Sequence, residues 1–223
     1  MGINLGDVFP NFSAESTSGT IQFHEWLAED KWAILFSHPA DFTPVCTTEL
    51  SEVNKYSGEF ENRGVKLIAL SCDSVDSHKS WTEDIESFKE CGKLKYPIIA
   101  DPKRELAVQL GMIDPDEKDA AGLPLTCRAV FIIGPGRKLK LSMLYPATTG
   151  RNFNEILRVV DSLQLTVRKK VATPANWKSG DKCMVIPSLS DDEANKLFAS
   201  GFEKIKMPSG KSYMRFTADP SDK

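Results

Sequence analysis

Trp32-Ala33-Ile34-Leu35-Phe36, then His38-Pro39-Ala40-Asp41-Phe42-Thr43-Pro44-Val45-Cys46, then Val65-Lys66-Leu67-Ile68-Ala69-Leu70-Ser71-Cys72 decide the fold between them. The first and last are near-continuous apolar runs of strand length, as expected of central strands covered on both faces. Thr43 stands at a helix N-cap and Pro44 at the first helical position, where its missing N–H costs nothing. The helix begun there carries Leu50, Val53, Ser57 and Phe60 at helical spacing, with Arg63 in its last turn and Gly64 as its stop. Strand, helix, strand is a βαβ unit, right-handed if the strands are parallel in one sheet. The same start places Cys46 on the third helical residue. Free N–H groups and the positive end of the helix dipole there favour the thiolate, the nucleophilic form of sulfur.

Working outward, the spacing of Trp81, Ile85 and Phe88 predicts a helix over 76–88, with His78 one turn before Trp81. A short strand is expected over 97–100, and Asp101-Pro102 cap a short helix ending near Gly111. The buried run at 129–133, the turn Gly134-Pro135-Gly136-Arg137 and the alternating run at 138–144 predict an antiparallel hairpin. A helix over 152–165 closes this part, so the fold class is α/β with a mixed central sheet. Arg168-Lys169-Lys170 and Thr173-Pro174-Ala175-Asn176-Trp177 then mark a composition shift, and the basic run reads as a solvated linker. Beyond it, strands at 183–186, 202–206 and 213–216 and a helix over 190–198 form a unit of about 50 residues, small to stand alone and expected to pack on the first domain or on a neighbouring subunit.

The 223 residues are 41% hydrophobic and 26% charged with a net charge of −3, values of an ordinary ordered protein that argue against nucleic acid as the main partner. The amino terminus lacks a basic start followed by an apolar run, and no stretch approaches about 18 apolar residues, so a cytoplasmic protein without a transmembrane segment is expected. The five cysteines form an odd set without CxxC spacing and read as reduced thiols. His24, His38 and His78 show no ligand-type spacing, and no metal site is expected.

Pro39-Ala40-Asp41-Phe42-Thr43-Pro44-Val45-Cys46 resembles the peroxidatic motif of the peroxiredoxins, a proline followed by threonine or serine and then cysteine at fixed spacing. Thr47-Thr48-Glu49-Leu50, Arg128 before a buried strand, and Tyr145-Pro146-Ala147-Thr148-Thr149-Gly150-Arg151-Asn152-Phe153 follow in family order over nearly the whole chain. The tail with Val171-Ala172-Thr173-Pro174 is similar to the 1-Cys, peroxiredoxin-6-like branch. The resemblance implies a thioredoxin-like peroxidase domain over 1–168 and a C-terminal peroxiredoxin domain over 169–223 in a dimer interface. It implies Cys46 as the peroxidatic cysteine, Thr43 and Arg128 as its activating partners, and Pro39 as a shield of the pocket. No cofactor is implied. The partners implied are a hydroperoxide, an external thiol reductant such as glutathione with a glutathione transferase or thioredoxin, with ascorbate also compatible, and a second copy in a homodimer or higher oligomer. Two-cysteine relatives carry Val-Cys-Pro in the tail, whereas Thr173 occupies the resolving position here, so no intersubunit disulfide of that type can form.

The chemistry asks for these residue types. Thiolate attacks the terminal peroxide oxygen in line while hydroxide or alkoxide departs, so negative charge spreads from sulfur onto oxygen. Arg128 can hold the thiolate and donate to those oxygens, Thr43 can orient both, and the Cys46 N–H adds a donor. The sulfenic acid product returns to thiol through an outside reductant or is over-oxidised to sulfinic acid. Glu49 is expected to fix the Arg128 guanidinium, and Arg151 to support the site or start a helix. His38 either bonds near Cys46, as the resemblance implies, or satisfies backbone groups at the strand end; the sequence leaves both open. Cys72, Cys91 and Cys127 read as structural, Cys127 being notable only for preceding Arg128. Cys183 is weighed as an unconventional resolving thiol, but its apolar run favours a core role.

Some members of the branch are described as phospholipases with a serine triad. Lys31 stands here where the serine would be and Gly136 where the aspartate would be, leaving only His24, so no such activity is expected. The reading is a thiol-specific peroxidase acting on hydrogen peroxide and organic or lipid hydroperoxides in antioxidant defence. A redox-sensing oligomeric holdase is the alternative from another class, and a disulfide oxidoreductase lacks its CxxC pair.

Overall fold

The computed structural model describes residues 2–221 of the chain. Contacts divide it into two compact units, Met1–Phe153 and Asn154–Lys223. The division falls earlier than the 168/169 boundary that the resemblance implies: the last long helix is tied to the segment after it, Arg158 donating to the Trp177 carbonyl and the Ser162 and Thr173 hydroxyls sharing a 2.6 Å hydrogen bond.

In the first unit the order is β1 (Ser13–Ser16), β2 (Gly19–Gln22), α1 (Phe23–Leu27), β3 (Trp32–Ser37), α2 (Pro44–Asn62), β4 (Val65–Ser71), α3 (Val75–Ser87), β5 (Ile98–Ala100), α4 (Glu105–Gln109), β6 (Ile113–Lys118), β7 (Pro124–Thr126), β8 (Arg128–Gly134) and β9 (Lys138–Tyr145). Seven strands form one sheet in the order β2-β1-β5-β4-β3-β8-β9. β4 runs parallel to β3 and β5, and the other pairs are antiparallel, which makes the sheet mixed. The buried runs read from the sequence are its centre, β3 and β8 being enclosed along nearly their whole lengths. Ala33, Leu35, Ile68, Leu70 and Phe131 pack with Phe9, Phe23 and Leu27 in one cluster, where each large side chain contributes about 1.5–3 kcal/mol on burial.

α2 buries Leu50, Val53, Ser57 and Phe60, as their spacing requires, and stops at Arg63 and Gly64, whose φ of +65° suits glycine. α3 ends one residue earlier than expected, and Phe88 passes into a short 3₁₀ turn, only half-buried, so the apolar face stops at Ile85. α4 starts at Glu105, after Arg104 has taken a left-handed conformation. Asp101 still serves it from a distance, its carboxylate accepting the Ala107 N–H at 2.7 Å. The hairpins β1–β2 and β6–β7 add to the expected elements.

The second unit comprises α5 (Phe153–Arg168), β10 (Val171–Ala172), β11 (Cys183–Val185), α6 (Asp191–Leu197), β12 (Glu203–Lys204) and β13 (Arg215–Thr217). Its four strands form an antiparallel sheet in the order β10-β11-β13-β12. Leu165, Val171, Trp177, Cys183, Val185, Ala194 and Phe198 make its core. α6 carries a full capping box, Ser190 and Glu193 each bonding the other's backbone N–H. Among the described residues no helix is long and apolar enough to cross a membrane.

Candidate active site

The site is built on the first turn of α2. Thr43 sits at the N-cap in extended conformation (φ −116°, ψ 147°), but its hydroxyl donates to the Ala40 carbonyl at 2.9 Å instead of capping the helix. The first helical hydrogen bond runs from the Thr47 N–H to the Thr43 carbonyl, so the N–H groups of Val45 and Cys46 precede the ladder. The turn is fastened from α3: the Trp81 indole donates to the Thr47 hydroxyl at 3.1 Å, which itself donates to the Thr43 carbonyl.

Cys46 is fully buried. The Arg128 Nη1, from the start of β8, lies 3.3 Å from its sulfur and 2.7 Å from Glu49 Oε2, one turn further along α2. Arg128 Nε and Nη2 both donate to the Ala147 carbonyl, which fixes the plane of the guanidinium. Arg151 completes the group. Its Nε and backbone N–H donate to Glu49 Oε1 at 3.0 and 2.7 Å, its Nη2 to Oε2 at 2.7 Å, and its Nη1 to the Ala129 carbonyl. Burial pushes the Glu49 carboxyl up, but Arg151 and then Arg128 more than offset this and hold it below the usual carboxylate range. One carboxylate between two guanidiniums leaves one positive charge of the buried set uncompensated beside the sulfur. Removing the Glu49 charge, which would leave both guanidiniums buried without a counter-ion, costs about 3–5 kcal/mol, so the geometry is firmly held.

A second buried cluster underlies the loop before α2. Asp41 accepts from His38 Nε2 at 2.8 Å, His78 Nδ1 at 2.7 Å and Ser77 Oγ at 2.7 Å, and its own N–H donates to Asp73 Oδ2 at 3.0 Å. Burial favours the neutral Asp41 acid, but the hydrogen bonds from His38 and His78 outweigh it and hold the carboxyl well below its ordinary range. Burial also lowers His38 against the opposing pull of Asp41. His78 Nε2 faces the Ile99 carbonyl at 3.1 Å. Both His78 nitrogens therefore face oxygen atoms, the Asp41 carboxylate on one side and the Ile99 carbonyl on the other. Among the described residues this is the one group of histidines and acids close enough to suggest a metal. A tetrahedral ion with ligands at about 2.0–2.1 Å would hold its donors more than 3 Å apart, and separations of 2.7–2.8 Å are those of shared protons.

The His38 ring is bonded to Asp41 through Nε2, and its Nδ1 is buried without a partner. Phe42, between Asp41 and Thr43, has φ +52° and is 56% exposed, a conformation costing on the order of 1–3 kcal/mol in a non-glycine residue. Pro39 is buried in the same loop. Of the residues singled out by sequence, Cys46, Glu49, Arg128 and Arg151 meet in one hydrogen-bonded group. Sequence reading missed Asp41, His78 and the Ala147 carbonyl. The His38-x-x-Asp41 spacing was a signal for the first; nothing local marks the others.

All five cysteines are free thiols. Burial pushes the thiols of Cys72, Cys127 and Cys183 up to about 11, so each is inert beside a thiolate at neutral pH. His24 bonds the Phe9 carbonyl at 2.7 Å, with lysine at position 31 and no side chain at Gly136.

Residues 5–142 match the AhpC/TSA family, and residues 162–201 match the C-terminal domain of 1-Cys peroxiredoxin. The chain is 61% identical over 222 residues to peroxiredoxin-6 of Gallus gallus, covering 98% of this chain and 99% of that protein. It is 57% identical over 231 residues to the 1-Cys peroxiredoxin of Dirofilaria immitis, covering 98% of each. A crystal structure of a cysteine-to-serine mutant of peroxiredoxin 6 of Arenicola marina matches with TM-score 0.96 and 62% identity, over 99% of this chain and 100% of that one. A yeast mitochondrial 1-Cys peroxiredoxin, solved to show thiol resolving via glutathione/thioredoxin systems, matches with TM-score 0.86 and 41% identity over 97% and 99% of the two chains. With its thioredoxin-like fold and likeness sustained from end to end, the chain belongs to the peroxiredoxins, within their 1-Cys branch.

Proposed function

We propose that this peroxiredoxin reduces hydrogen peroxide and small organic or lipid hydroperoxides by attack of the Cys46 thiolate. The observation that carries the reading is the Arg128 guanidinium, 3.3 Å from the sulfur and locked by Glu49 and the Ala147 carbonyl. The S–O bond forms as the O–O bond breaks. Sulfur gives up an electron pair, and the departing hydroxide or alkoxide takes a proton from solvent. Arg128 is already aimed where that charge develops, so little reorganisation is required at the moment of reaction. Thr43 has committed its O–H to Ala40, which leaves its oxygen free to accept the peroxide O–H and orient the substrate. Glu49 and Arg151 are positioning residues for Arg128, and Pro39 shields the thiolate from water.

The product is a sulfenic acid at Cys46. One external thiol displaces water from it to give a mixed disulfide, and a second thiol releases Cys46 as a disulfide forms between the two. Thr173, hydrogen-bonded to Ser162, brings no sulfur to this step, and the buried Cys183 is a core residue. Glutathione, with or without a transferase, or thioredoxin supplies the thiol, a reading supported by the yeast relative. The reading includes a homodimer with residues 169–223 in its interface; the position of β9 at the end of the sheet and Leu144, 56% exposed on it, support the pairing of two copies. Five free thiols support a reducing, cytoplasmic location. Residues 24, 31 and 136 supply no serine triad, so phospholipid hydrolysis by that route is absent from the reading.

The test is peroxide consumption by purified protein with a thiol reductant. Cys46→Ser is expected to abolish it, and a Cys46→Ser protein with full activity would sink the proposal.

A further inference from the structure

We propose that Asp41 is a positioning residue of the peroxidase site, a buried latch that holds the strained loop before α2 so that Cys46 stays enclosed and Thr43 stays aimed. This rests on the reading of Cys46 as the peroxidatic cysteine. Asp41 gathers three parts of the first unit around one carboxylate: His38 from the end of β3, Ser77 and His78 from the start of α3, and, through its own N–H, Asp73 beyond β4. Asp73 is in turn held by the Ser71 hydroxyl at 2.7 Å. None of these groups shares a hydrogen bond or ion pair with Cys46, Glu49, Arg128 or Arg151, so the cluster is a hydrogen-bonded set separate from the charges on the sulfur.

The reason for such a cluster lies in the next residue. Phe42 is left-handed, and its ring is more exposed than buried, with Trp81 as its ring neighbour at 6.4 Å. An aromatic residue gains too little from that packing to hold an unfavourable backbone, and such a conformation persists only where neighbours over-determine it. Asp41 precedes it with four hydrogen bonds that tie the loop to α3 and to Asp73 beyond β4, whereas Thr43 follows it with bonds only to Ala40 of the same loop and to Thr47 of its own helix. The anchor is therefore Asp41. With the anchor weakened, Phe42 relaxes, Thr43 loses its orientation and the fully buried sulfur opens to solvent.

Peroxide reduction and alkylation separate this role from general stability. Both reactions use the thiolate of Cys46, so their ratio cancels its ionisation. Peroxide needs the aimed, closed site, whereas iodoacetamide needs the site open. We expect Asp41→Asn to lower the second-order rate of Cys46 oxidation by hydrogen peroxide about tenfold or more, and to raise its alkylation by iodoacetamide, read on the Cys46 peptide by mass spectrometry. Ser77→Ala should move both rates the same ways by less. His78→Phe should reproduce Asp41→Asn, and His78→Asn, whose amide can still donate to Asp41, should restore the wild-type ratio. These variants keep the idea testable should Asp41→Asn fail to fold. Asn54→Ala, which removes the anchor of the loop at residues 91–95, serves as the destabilised control and should shift neither rate. Rates in the latch variants that stay unchanged, or that move together, overturn the latch. A wild-type Cys46 that does not react with peroxide overturns instead the reading on which it rests.

Discussion

Replacing Arg128 with alanine removes the donor on the Cys46 sulfur, one of the two cations on Glu49, and both N–H bonds to the Ala147 carbonyl. The two consequences differ in size. Loss of a preorganised donor at the site of developing charge costs about 2.7–4 kcal/mol at the transition state, roughly 10²–10³ in rate. The folded state loses less, because Glu49 keeps three hydrogen bonds from Arg151 and is not left as an unpaired buried charge. The unsatisfied Ala147 carbonyl and the cavity bring the stability loss to about 1–3 kcal/mol. The assay is stopped-flow mixing with hydrogen peroxide in excess, followed by tryptophan emission, since Trp81 is hydrogen-bonded to the turn that carries Cys46. Urea unfolding of the same protein gives the stability. A rate within threefold of wild type, in a protein that still requires Cys46, would refute the claim that Arg128 stabilises the transition state.

Glu49→Gln leaves two buried guanidiniums facing a neutral amide, and its stability should fall by about 3–5 kcal/mol in urea titrations; a loss below 1 kcal/mol would show the group to be more hydrated than its burial indicates. Cys183→Ser should keep turnover within about twofold when thiol is supplied from outside, since the residue it replaces is a buried, high-pKa thiol, and a halt after a single turnover would make Cys183 a resolving thiol. Stability should also decline in mild acid. The folded state holds His38 below the ordinary value of 6.5, so the unfolded chain takes up that proton first and stability is lost as pH falls through about 6.5, at up to about 1.4 kcal/mol per pH unit. Asp41, lowered in the same sense, adds its loss only below the ordinary carboxylate range. Unfolding midpoints measured from pH 7 to 5 that stay level would contradict the burial of a neutral His38.

The frame of this fold was legible because its signals are local. Two apolar runs and a Thr-Pro helix start gave β3, α2 and β4 with the cysteine in the right turn, and Gly134-Pro135-Gly136 announced the β8–β9 hairpin. β1 was not legible, since Ser13-Ala14-Glu15-Ser16 has no apolar alternation and is a strand through pairing with β2 and β5. β6 carries Asp114, Pro115, Asp116 and Glu117, and its exposed hairpin is held by β7 alone. At the site, Glu49 and Arg128 could be paired from charge and position, but Arg151 proved the stronger partner of Glu49, because its main-chain N–H and side chain converge on the carboxylate. The role of Asp41 depends on His78, far away in sequence and one helix later, and only the fold brings them together.

A one-cysteine cycle places opposite demands on the loop that Asp41 holds. Oxidation is favoured with the sulfur enclosed beside Arg128, where water is excluded and the donor is aimed. Reduction needs a bulky thiol or a protein to reach that same, fully buried sulfur, and threonine at position 173 puts no cysteine at the resolving position of the tail to meet it. An open state populated at about 0.1–10% lies only a few kcal/mol above the closed one, within the range of what the strain at Phe42 and one buried hydrogen bond supply. A tighter latch would leave the sulfenic acid facing Arg128, in a pocket built to activate peroxide, where a second oxidation to sulfinic acid outruns reduction. A looser latch would slow the first oxidation. If Asp41 is the latch proposed above, the loop is poised by setting strain at Phe42 against anchoring at Asp41, and shifting that balance should change how much peroxide the protein withstands before Cys46 is over-oxidised.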